Sequence, residues 1–202
     1  MTKEDILLTY IRSTFERDTI FFTEDCAPSG LPPRDIRLYL SSLVQTAEVV
    51  RLARGVFLYP DHEEFSMKIR MPSVDRIAYA IANREHIRIS PCEDQCAYLV
   101  GLTTLQVSPY KYITDGGDRV VHLQNGRTLE FAWRKESRIF SFNSVTMQRL
   151  TLGMRALGKD NIRLAEKSII AGILEGVSDE DFIDGIWKTT EWVREILLSI
   201  RG

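Results

Sequence analysis

Residues 33–60 read PRDIRLYLSSLVQTAEVVRLARGVFLYP, and this stretch combines an amphipathic helical pattern with a short basic hairpin. One residue placed every 100° or so around a helix puts an apolar stripe on one side, formed by Ile36, Leu40, Leu43, Val44 and Ala47. Pro33 suits the first turn of this helix, where its missing N–H has no partner to lose. The pattern therefore predicts a helix that begins near Pro33 and buries one side.

A second stripe of the same helix is polar and consists of Arg34, Arg37, Ser41 and Gln45. Arginine can donate two hydrogen bonds to guanine, glutamine can pair with adenine, and serine can bind a base or a phosphate. Leu38 lies beside this stripe and could contact a thymine methyl group or pack against a neighbouring helix. These residue types predict a helix face that enters the major groove of DNA.

The hairpin follows directly, with strands predicted at residues 48–52 and 56–59 and a turn at Ala53-Arg54-Gly55. Gly55 supplies the positive φ that such a turn needs. Arg51 and Arg54 lie on or beside the turn, where long cationic side chains can reach a phosphate backbone. The alternative is a solvated surface hairpin that does not contact nucleic acid. The predicted DNA-binding residues are Arg34, Arg37, Leu38, Ser41, Gln45, Arg51 and Arg54.

The elements before this stretch complete a winged helix-turn-helix order. A helix is predicted at residues 3–15, a strand at 19–22, and a short helix with Thr23 as its N-cap. We therefore predict an α+β fold in which residues 1–62 form a winged helix-turn-helix. Residues 70–202 would form a C-terminal α+β domain with a small antiparallel sheet and C-terminal helices.

The second domain shows weaker but consistent patterns. A helix is predicted after Ser73, a strand at 86–90, a short helix at 93–100, and strands at 111–114, 119–123 and 128–134. Asn125-Gly126 between the last two strands is a strong hairpin signal. Further helices are predicted from residue 143, at 163–174, and after Ser178, where one last helix would carry Phe182, Ile186, Val193, Leu197 and Ile200 on one side.

Composition limits the classes of protein to consider. The 202 residues are 44% hydrophobic and 27% charged, with a formal net charge of −2. No apolar run approaches the roughly 20 residues that span a bilayer, and the acidic N-terminus MTKEDILLTYIRSTF does not resemble a signal peptide. We therefore predict a cytoplasmic protein with no membrane contact. The net charge excludes a protein that coats nucleic acid indiscriminately, so DNA binding requires a local patch, aided by dimerisation or a partner.

Signs of catalysis and of metal binding are weak. Three cysteines give no disulfide framework, and Cys92 and Cys96 with His86 lack the second ligand pair of a structural zinc site. Asp115 and Asp118 flank two glycines, which favours a turn over a catalytic carboxylate pair. Esterase and phosphate-loop motifs are absent from the sequence. We therefore predict no enzymatic activity, no metal and no cofactor.

Two tryptophans near the C-terminus suggest a protein contact. Trp187 and Trp192 are five positions apart and cannot share one narrow helix stripe. We expect one of them in the core and the other exposed or in an interface, where tryptophan is enriched. A broad buried helix face is the alternative.

Four segments together resemble the AbiEi-like family of antitoxins and transcriptional regulators: RLARGVFLYP (51–60), MPSVDRIAYAIANR (71–84), VGLTTLQVSPYKYITDG (100–116) and LGKDNI (157–162). The resemblance implies an N-terminal winged helix that represses its own operon. It also implies a C-terminal domain that opposes a nucleotidyltransferase-like toxin in a type IV toxin-antitoxin pair. The DNA-contact role would fall on Arg34, Arg37, Arg51 and Arg54. One segment differs, since residues 90–94 are Ser-Pro-Cys-Glu-Asp where the family pattern has a Pro-Thr-Gly-like turn.

The expected partners are therefore double-stranded DNA of the protein's own promoter, a nucleotidyltransferase-like toxin, and a second copy of the chain. Two other hypotheses come from different classes. The winged helix could be a protein-interaction adaptor that does not bind DNA, which agrees with the nearly neutral charge of residues 1–60. An enzyme acting on nucleic acid would instead depend on Asp115 and Asp118.

Overall fold

The computed structural model describes residues 2–61, 69–134 and 138–202. The chain divides into two compact units: the first comprises Met1–Ile81 with Val121–Arg127, and the second Ala82–Val120 with Thr128–Gly202. The segment Val121–Arg127 thus belongs with the N-terminal elements, although it is distant from them in the sequence.

The predicted domain boundary, between residues 62 and 70, lies mostly in residues 62–68, which are outside the described residues.

The first unit has the element order predicted from the sequence. It contains α1 (Lys3–Thr14), β1 (Thr19–Phe22), a 3₁₀ helix (Thr23–Ser29), α2 (Pro33–Gln45), β2 (Val50–Ala53) and β3 (Val56–Tyr59). The next helix, α3 (Val74–Glu85), begins in the first unit and ends in the second. The three strands form an antiparallel sheet in the order β1-β3-β2. β2 is thus an edge strand and follows α2 directly in the chain.

Two predicted details of this unit are wrong. Ala47 does not lie on the buried stripe, because α2 ends at Gln45 and Ala47 is exposed with a φ of 58°. Thr23 is not an N-cap, because the 3₁₀ helix already begins there and Phe22 occupies the capping position. The side chain of Asp25 accepts a hydrogen bond from the Phe22 N–H at 2.8 Å, and this bond closes the start of the helix.

The core of the first unit determines which side of α2 faces solvent. Phe21 stacks on Phe15 and Phe57, with ring centroids 4.8 and 5.7 Å apart respectively. The predicted stripe residues Ile36, Leu40 and Leu43 are at most 2% exposed and join the same cluster. Burial of these side chains, about 1.5–3 kcal/mol each, holds the opposite face of α2 outward.

The second unit combines a small sheet with a group of helices. The elements that follow α3 in the chain are β4 (Ile89–Pro91), α4 (Glu93–Leu99), β5 (Tyr110–Thr114), β6 (Arg119–His122), β7 (Thr128–Trp133), α5 (Val145–Leu157), α6 (Leu164–Leu174), α7 (Asp179–Trp187) and α8 (Glu191–Arg201). All of them belong to the second unit except the end of β6, since Val121 and His122 belong to the first. Short 3₁₀ helices cover Arg138–Ser141 and Lys159–Asn161. Within the described ranges, every helix is too short or too polar to cross a lipid bilayer.

The four-stranded sheet is mixed, and the prediction of an antiparallel sheet is wrong. Its order is β4-β5-β7-β6, and β5 pairs with β7 in parallel, with Tyr110 opposite Leu129 and Thr114 opposite Trp133. A parallel pair needs a crossover, and here the connection that contains β6 supplies it. The predicted Asn125-Gly126 hairpin is present, since Gly126 has a φ of 79° and its N–H donates to the Leu123 carbonyl at 3.1 Å.

The last predicted helix is two helices. The chain leaves helical geometry after Trp187, and α8 starts again at Glu191. The apolar positions were nevertheless assigned correctly, because both helices turn them toward one core: Phe182, Ile186, Val193 and Leu197 are buried, and Ile200 packs against them. Of the two tryptophans, Trp187 is 68% exposed, whereas Trp192 packs against this core.

Candidate nucleic-acid interface

The solvent face of α2 presents most of the predicted DNA-contact residues. Arg34, Arg37 and Gln45 are exposed, and Leu38 is 60% exposed. Ser41 differs from these residues because its hydroxyl is already engaged, donating to the Arg37 carbonyl at 2.9 Å. With respect to the described residues, two arginines and one glutamine of this face are therefore free to contact a ligand.

The β2–β3 turn lies next to the start of the 3₁₀ helix Thr23–Ser29. Arg54 and Gly55 form the turn, and Gly55 has a φ of 76° as its type allows. The Gly55 carbonyl accepts a hydrogen bond from the Thr23 N–H at 3.1 Å, which anchors the turn. Arg54 is exposed at this anchored position, so its backbone is held while its side chain faces solvent.

Arg51 occupies a more enclosed position than the sequence suggested. Its Nη2 donates to Ser41 Oγ at 2.9 Å, and its guanidinium carbon lies 5.5 Å from the centre of the Phe57 ring. Its Nε is buried and has no hydrogen-bond partner among the described residues. Arg51 therefore connects β2 to α2, whereas the sequence pattern assigned it only to a phosphate contact.

A polar cavity of about 660 Å³ lies between the 3₁₀ helix Thr23–Ser29, α2, the β2–β3 hairpin and the turn after β6. All of its lining residues belong to the first unit: Thr23, Glu24, Arg37, Ser41, Arg51, Arg54, Gly55, Phe57, His122 and Gln124. A further cavity of about 400 Å³ is lined by Ser41, Val44, Gln45, Val50, Arg51 and Gln124. Four of the predicted contact residues therefore line the larger cavity: Arg37, Ser41, Arg51 and Arg54. Gln45 lines the smaller cavity, and Arg34 and Leu38 line neither of the two.

Sequence patterns did not indicate His122 and Gln124 as part of this site. The hairpin that carries them was predicted, but its position beside β2 arises from pairing between distant segments. The Gln124 N–H donates to the Leu52 carbonyl at 2.9 Å, and Leu123 forms an antiparallel bridge with Ala53. This pairing covers the free edge of β2 and brings both side chains to the cavity.

The charges of the first unit are distributed unevenly. Lys3, Arg12 and Arg76 form ion pairs with Asp35, Glu48 and Asp18, at 2.8, 2.9 and 2.7 Å. Hydrogen bonds to the Glu48 carboxylate raise the pKa of Arg12, and Asp35 has the same effect on the pKa of Lys3. By contrast, none of the arginines of α2 and the hairpin has a carboxylate partner within the described part of the chain: Arg34, Arg37, Arg51 and Arg54.

Asp115 and Asp118 are occupied by structural hydrogen bonds. Asp115 accepts from the backbone N–H and the Nε of Arg88, both at 2.7 Å, and the hydrogen bond from the Arg88 side chain lowers the pKa of Asp115. Asp118 accepts from the Trp133 N–H at 2.6 Å. This arrangement ties the β5–β6 turn to its neighbours.

Within the described part of the chain, Cys26, Cys92 and Cys96 form no disulfide bond. Burial raises the pKa of Cys26 to about 12, and burial also raises the pKa of Cys92. Cys96 is buried and directs its Sγ toward the Pro91 carbonyl at 3.4 Å. Among the residues described by the structure, no group of three or more histidine, cysteine or acidic side chains could hold a metal ion.

A family model places this chain among known sequences. The model, described as a family of unknown function (DUF6088), matches residues 7–182. The chain belongs to the DUF6088 family. A search of curated proteins found no match. The region that matches the DUF6088 model contains every residue of the two cavities, and it ends within α7, before α8 begins.

Proposed function

We propose that the first unit of this DUF6088 protein is a winged helix that binds double-stranded DNA, and that the chain represses transcription from its own promoter. The observation that carries the proposal is the set of arginines on α2 and the hairpin that have no carboxylate partner among the described residues. Arg34 and Arg37 lie on the exposed face of one helix, and Arg54 lies on the adjacent turn. Arginine binds both phosphates and guanine edges, so this set suits a duplex.

The order of elements supports the same proposal. A helix, a strand, a short helix, a second long helix and a two-stranded hairpin follow one another, and the sheet order is β1-β3-β2. In a winged helix of this order, α2 is the recognition helix and the β2–β3 hairpin is the wing. The polar stripe of α2 would then face the major groove, with the wing turn toward the flanking backbone.

The distribution of charge explains how a nearly neutral unit can bind a polyanion. Ion pairs neutralise the charges of Lys3, Arg12 and Arg76, whereas the arginines of α2 and the hairpin have no ion pair with any described residue. The resulting positive field is local, so it favours a short duplex segment over general coating of nucleic acid. Because a single protein chain would make only a few phosphate contacts, we expect it to bind DNA with modest affinity. A second chain bound to a neighbouring half-site would raise that affinity.

Fluorescence anisotropy with a labelled duplex from the protein's own promoter tests the proposal. Arg34→Ala combined with Arg37→Ala should reduce affinity at least tenfold, because each lost arginine contact is worth about 1–3 kcal/mol. Lys3→Ala combined with Arg12→Ala is the matched control, since it removes the same charge from paired positions. That control should stay within about threefold of wild type. Unchanged binding by the α2 variant, with an unchanged circular dichroism spectrum, would contradict the recognition-helix assignment.

The AbiEi-like resemblance extends the proposal to the second unit, which would oppose a nucleotidyltransferase-like toxin. Ile183 and Trp187 support a protein contact there, because they lie one turn apart on α7 and are 55% and 68% exposed. Such a regulator would act in the cytoplasm. Ile183→Ser with Trp187→Ser should abolish co-purification with the toxin if a toxin is the partner, or reduce the mass measured by light scattering if the partner is a second copy.

A protein-interaction adaptor is the alternative function, and the near-neutral charge of residues 1–60 favours it. Affinity purification of the tagged chain separates the two functions. Recovery of promoter DNA supports the regulator. Recovery of a stoichiometric protein without DNA supports the adaptor, in which α2 would present Leu38, 60% exposed, to a protein groove.

A further inference from the structure

The cavity of about 660 Å³ in the first unit contains an excess of positive charge. Arg37, Arg51 and Arg54 contribute to its lining from α2, β2 and the hairpin turn, and Glu24 is the acidic side chain among the residues that line it. Three guanidinium groups on one concave surface repel one another unless an anion lies between them. Their convergence therefore favours an anionic ligand.

Arg51 carries an unused hydrogen-bond donor beside this cavity. One of its nitrogens donates to Ser41, but the buried Nε has no acceptor among the described residues. A buried donor without a partner costs about 1–3 kcal/mol. A ligand with several acceptor oxygens could satisfy the guanidinium if the side chain shifts toward the cavity, and this favours a ligand richer in oxygen than a single carboxylate.

The turn Val121–Arg127 adds neutral hydrogen-bonding groups to the same surface. Pairing of Leu123 and Gln124 with β2 fixes the turn, while the side chains of His122 and Gln124 remain exposed at the cavity. An imidazole N–H and an amide N–H₂ both donate to anionic oxygens. The cavity thus offers donors from four separate elements.

We propose that this cavity binds a phosphate group through Arg37, Arg51 and Arg54, and that His122 and Gln124 provide further contacts. Phosphate fits better than a single carboxylate because its oxygens can accept forked hydrogen bonds from more than one guanidinium. The volume lies within the usual range for small-molecule sites, so it also admits the rest of a phosphorylated compound. The phosphate belongs either to a DNA backbone, in which case the proposal rests on the proposed function, or to a free phosphorylated molecule.

Gln124→Glu in the full chain is the decisive variant. The side chain is exposed, and the hydrogen bond to β2 comes from the Gln124 backbone N–H, so the variant should fold normally. It places a negative charge at the cavity. Ser13→Glu on α1 is the matched control, because it adds the same charge at an exposed position of the first unit that does not line the cavity.

Two probes separate the sources of the phosphate. Pyrophosphate binding is measured by isothermal titration calorimetry, and binding of the promoter duplex by fluorescence anisotropy, each for wild type and both variants. We expect Gln124→Glu to weaken at least one probe roughly tenfold, and Ser13→Glu to change neither more than about twofold. If Gln124→Glu loses only pyrophosphate binding, the ligand is a free phosphorylated molecule. If it loses only duplex affinity, the phosphate belongs to the DNA backbone. If it loses both, and the two probes compete with each other, they share one site.

The two proposals can fail independently. If wild type binds duplex DNA and Gln124→Glu leaves both probes unchanged, the cavity is not a phosphate site but the regulator function stands. If pyrophosphate binds wild type but not Gln124→Glu, while no duplex binds at all, the regulator function fails and the phosphate site stands. Equal weakening by Ser13→Glu and Gln124→Glu means that the effect is general electrostatics, and this also overturns the site.

Discussion

Arg51 Nη2 donates a hydrogen bond to Ser41 Oγ at 2.9 Å, and Ser41 Oγ in turn donates to the Arg37 carbonyl at 2.9 Å. This relay links the edge strand β2 to the third turn of α2. It gives two predicted DNA-contact residues a structural role, because their hydrogen bond joins the hairpin to α2. Arg34, Arg37, Gln45 and Arg54 make no such bond with their side chains within the described ranges, and all four are exposed.

A double-mutant cycle should reveal coupling between Ser41 and Arg51. Ser41→Ala removes the acceptor, and Arg51→Met removes the donor while keeping an apolar stem over Phe57. A hydrogen bond from a charged donor at a partly buried site predicts a coupling energy of about 1 kcal/mol in the free energy of unfolding, measured with urea. Ser42→Ala is the control, since Ser42 makes no side-chain hydrogen bond in the described structure, and it should show no coupling with Arg51→Met. A coupling below about 0.3 kcal/mol would contradict the relay.

Arg54 and Gln45 should affect DNA binding in different ways. If Arg54 contacts a phosphate, Arg54→Ala should weaken promoter and unrelated duplexes alike, and should reduce the slope of log affinity against log salt by about 0.9. If Gln45 contacts a base, Gln45→Ala should weaken the promoter duplex alone, by a factor of about 5–100, and leave the salt slope unchanged. Anisotropy titrations at several salt concentrations measure both quantities. Identical profiles for the two variants would refute this division of roles.

Local patterns in the sequence predicted the first unit well because its elements are decided over short distances. Ile36, Leu40 and Leu43 recur at helical spacing, and Gly55 marks the hairpin turn, so both elements could be located without knowing the fold. Only the ends of elements were misplaced there. Ala47, for example, continues the apolar spacing, but the backbone has already turned to a φ of 58°.

Pairing between distant segments could not be predicted in the same way. Gln124 reaches the cavity because the turn after β6 pairs with β2, and nothing in the local sequence specifies that edge. The parallel pairing of β5 with β7 is a similar case, since alternating strands joined by Asn125-Gly126 suggest only their own hairpin. The engagement of Arg51 by Ser41 was also hidden, because an arginine on a hairpin looks the same in sequence whether it faces solvent or a helix.

Two helical glycines of the second unit should respond oppositely to alanine. A Cβ added at Gly185 would lie 2.6 Å from Met147 Cε and 2.9 Å from Met147 Cβ, and Met147 is fully buried. Gly185→Ala should therefore lower the free energy of unfolding by about 1–3 kcal/mol through overpacking. Gly172 in α6 has nothing within 4 Å of an added Cβ, so Gly172→Ala should raise stability by about 0.5–1 kcal/mol through helix propensity. Urea unfolding of both variants checks this contrast, and equal effects would refute it.

Asp184 should make the stability of the second unit depend on pH in the acid range. Its carboxylate accepts hydrogen bonds from Lys188 Nζ and from the Asn143 N–H, the latter at 3.1 Å, and the Lys188 contact is the main cause of its lowered pKa. Because the folded-state pKa lies below the ordinary value of 3.8, the carboxylate stabilises the fold above pH 3.8, and this stabilisation is lost as pH falls through the folded pKa. Asp184→Asn should cost up to about 1 kcal/mol at pH 7, since the pair is partly exposed, and progressively less below pH 4. Urea unfolding of wild type and variant at pH 7, 4 and 3 measures the difference, and a cost that persists at pH 3 would show that lost packing, rather than charge, accounts for it.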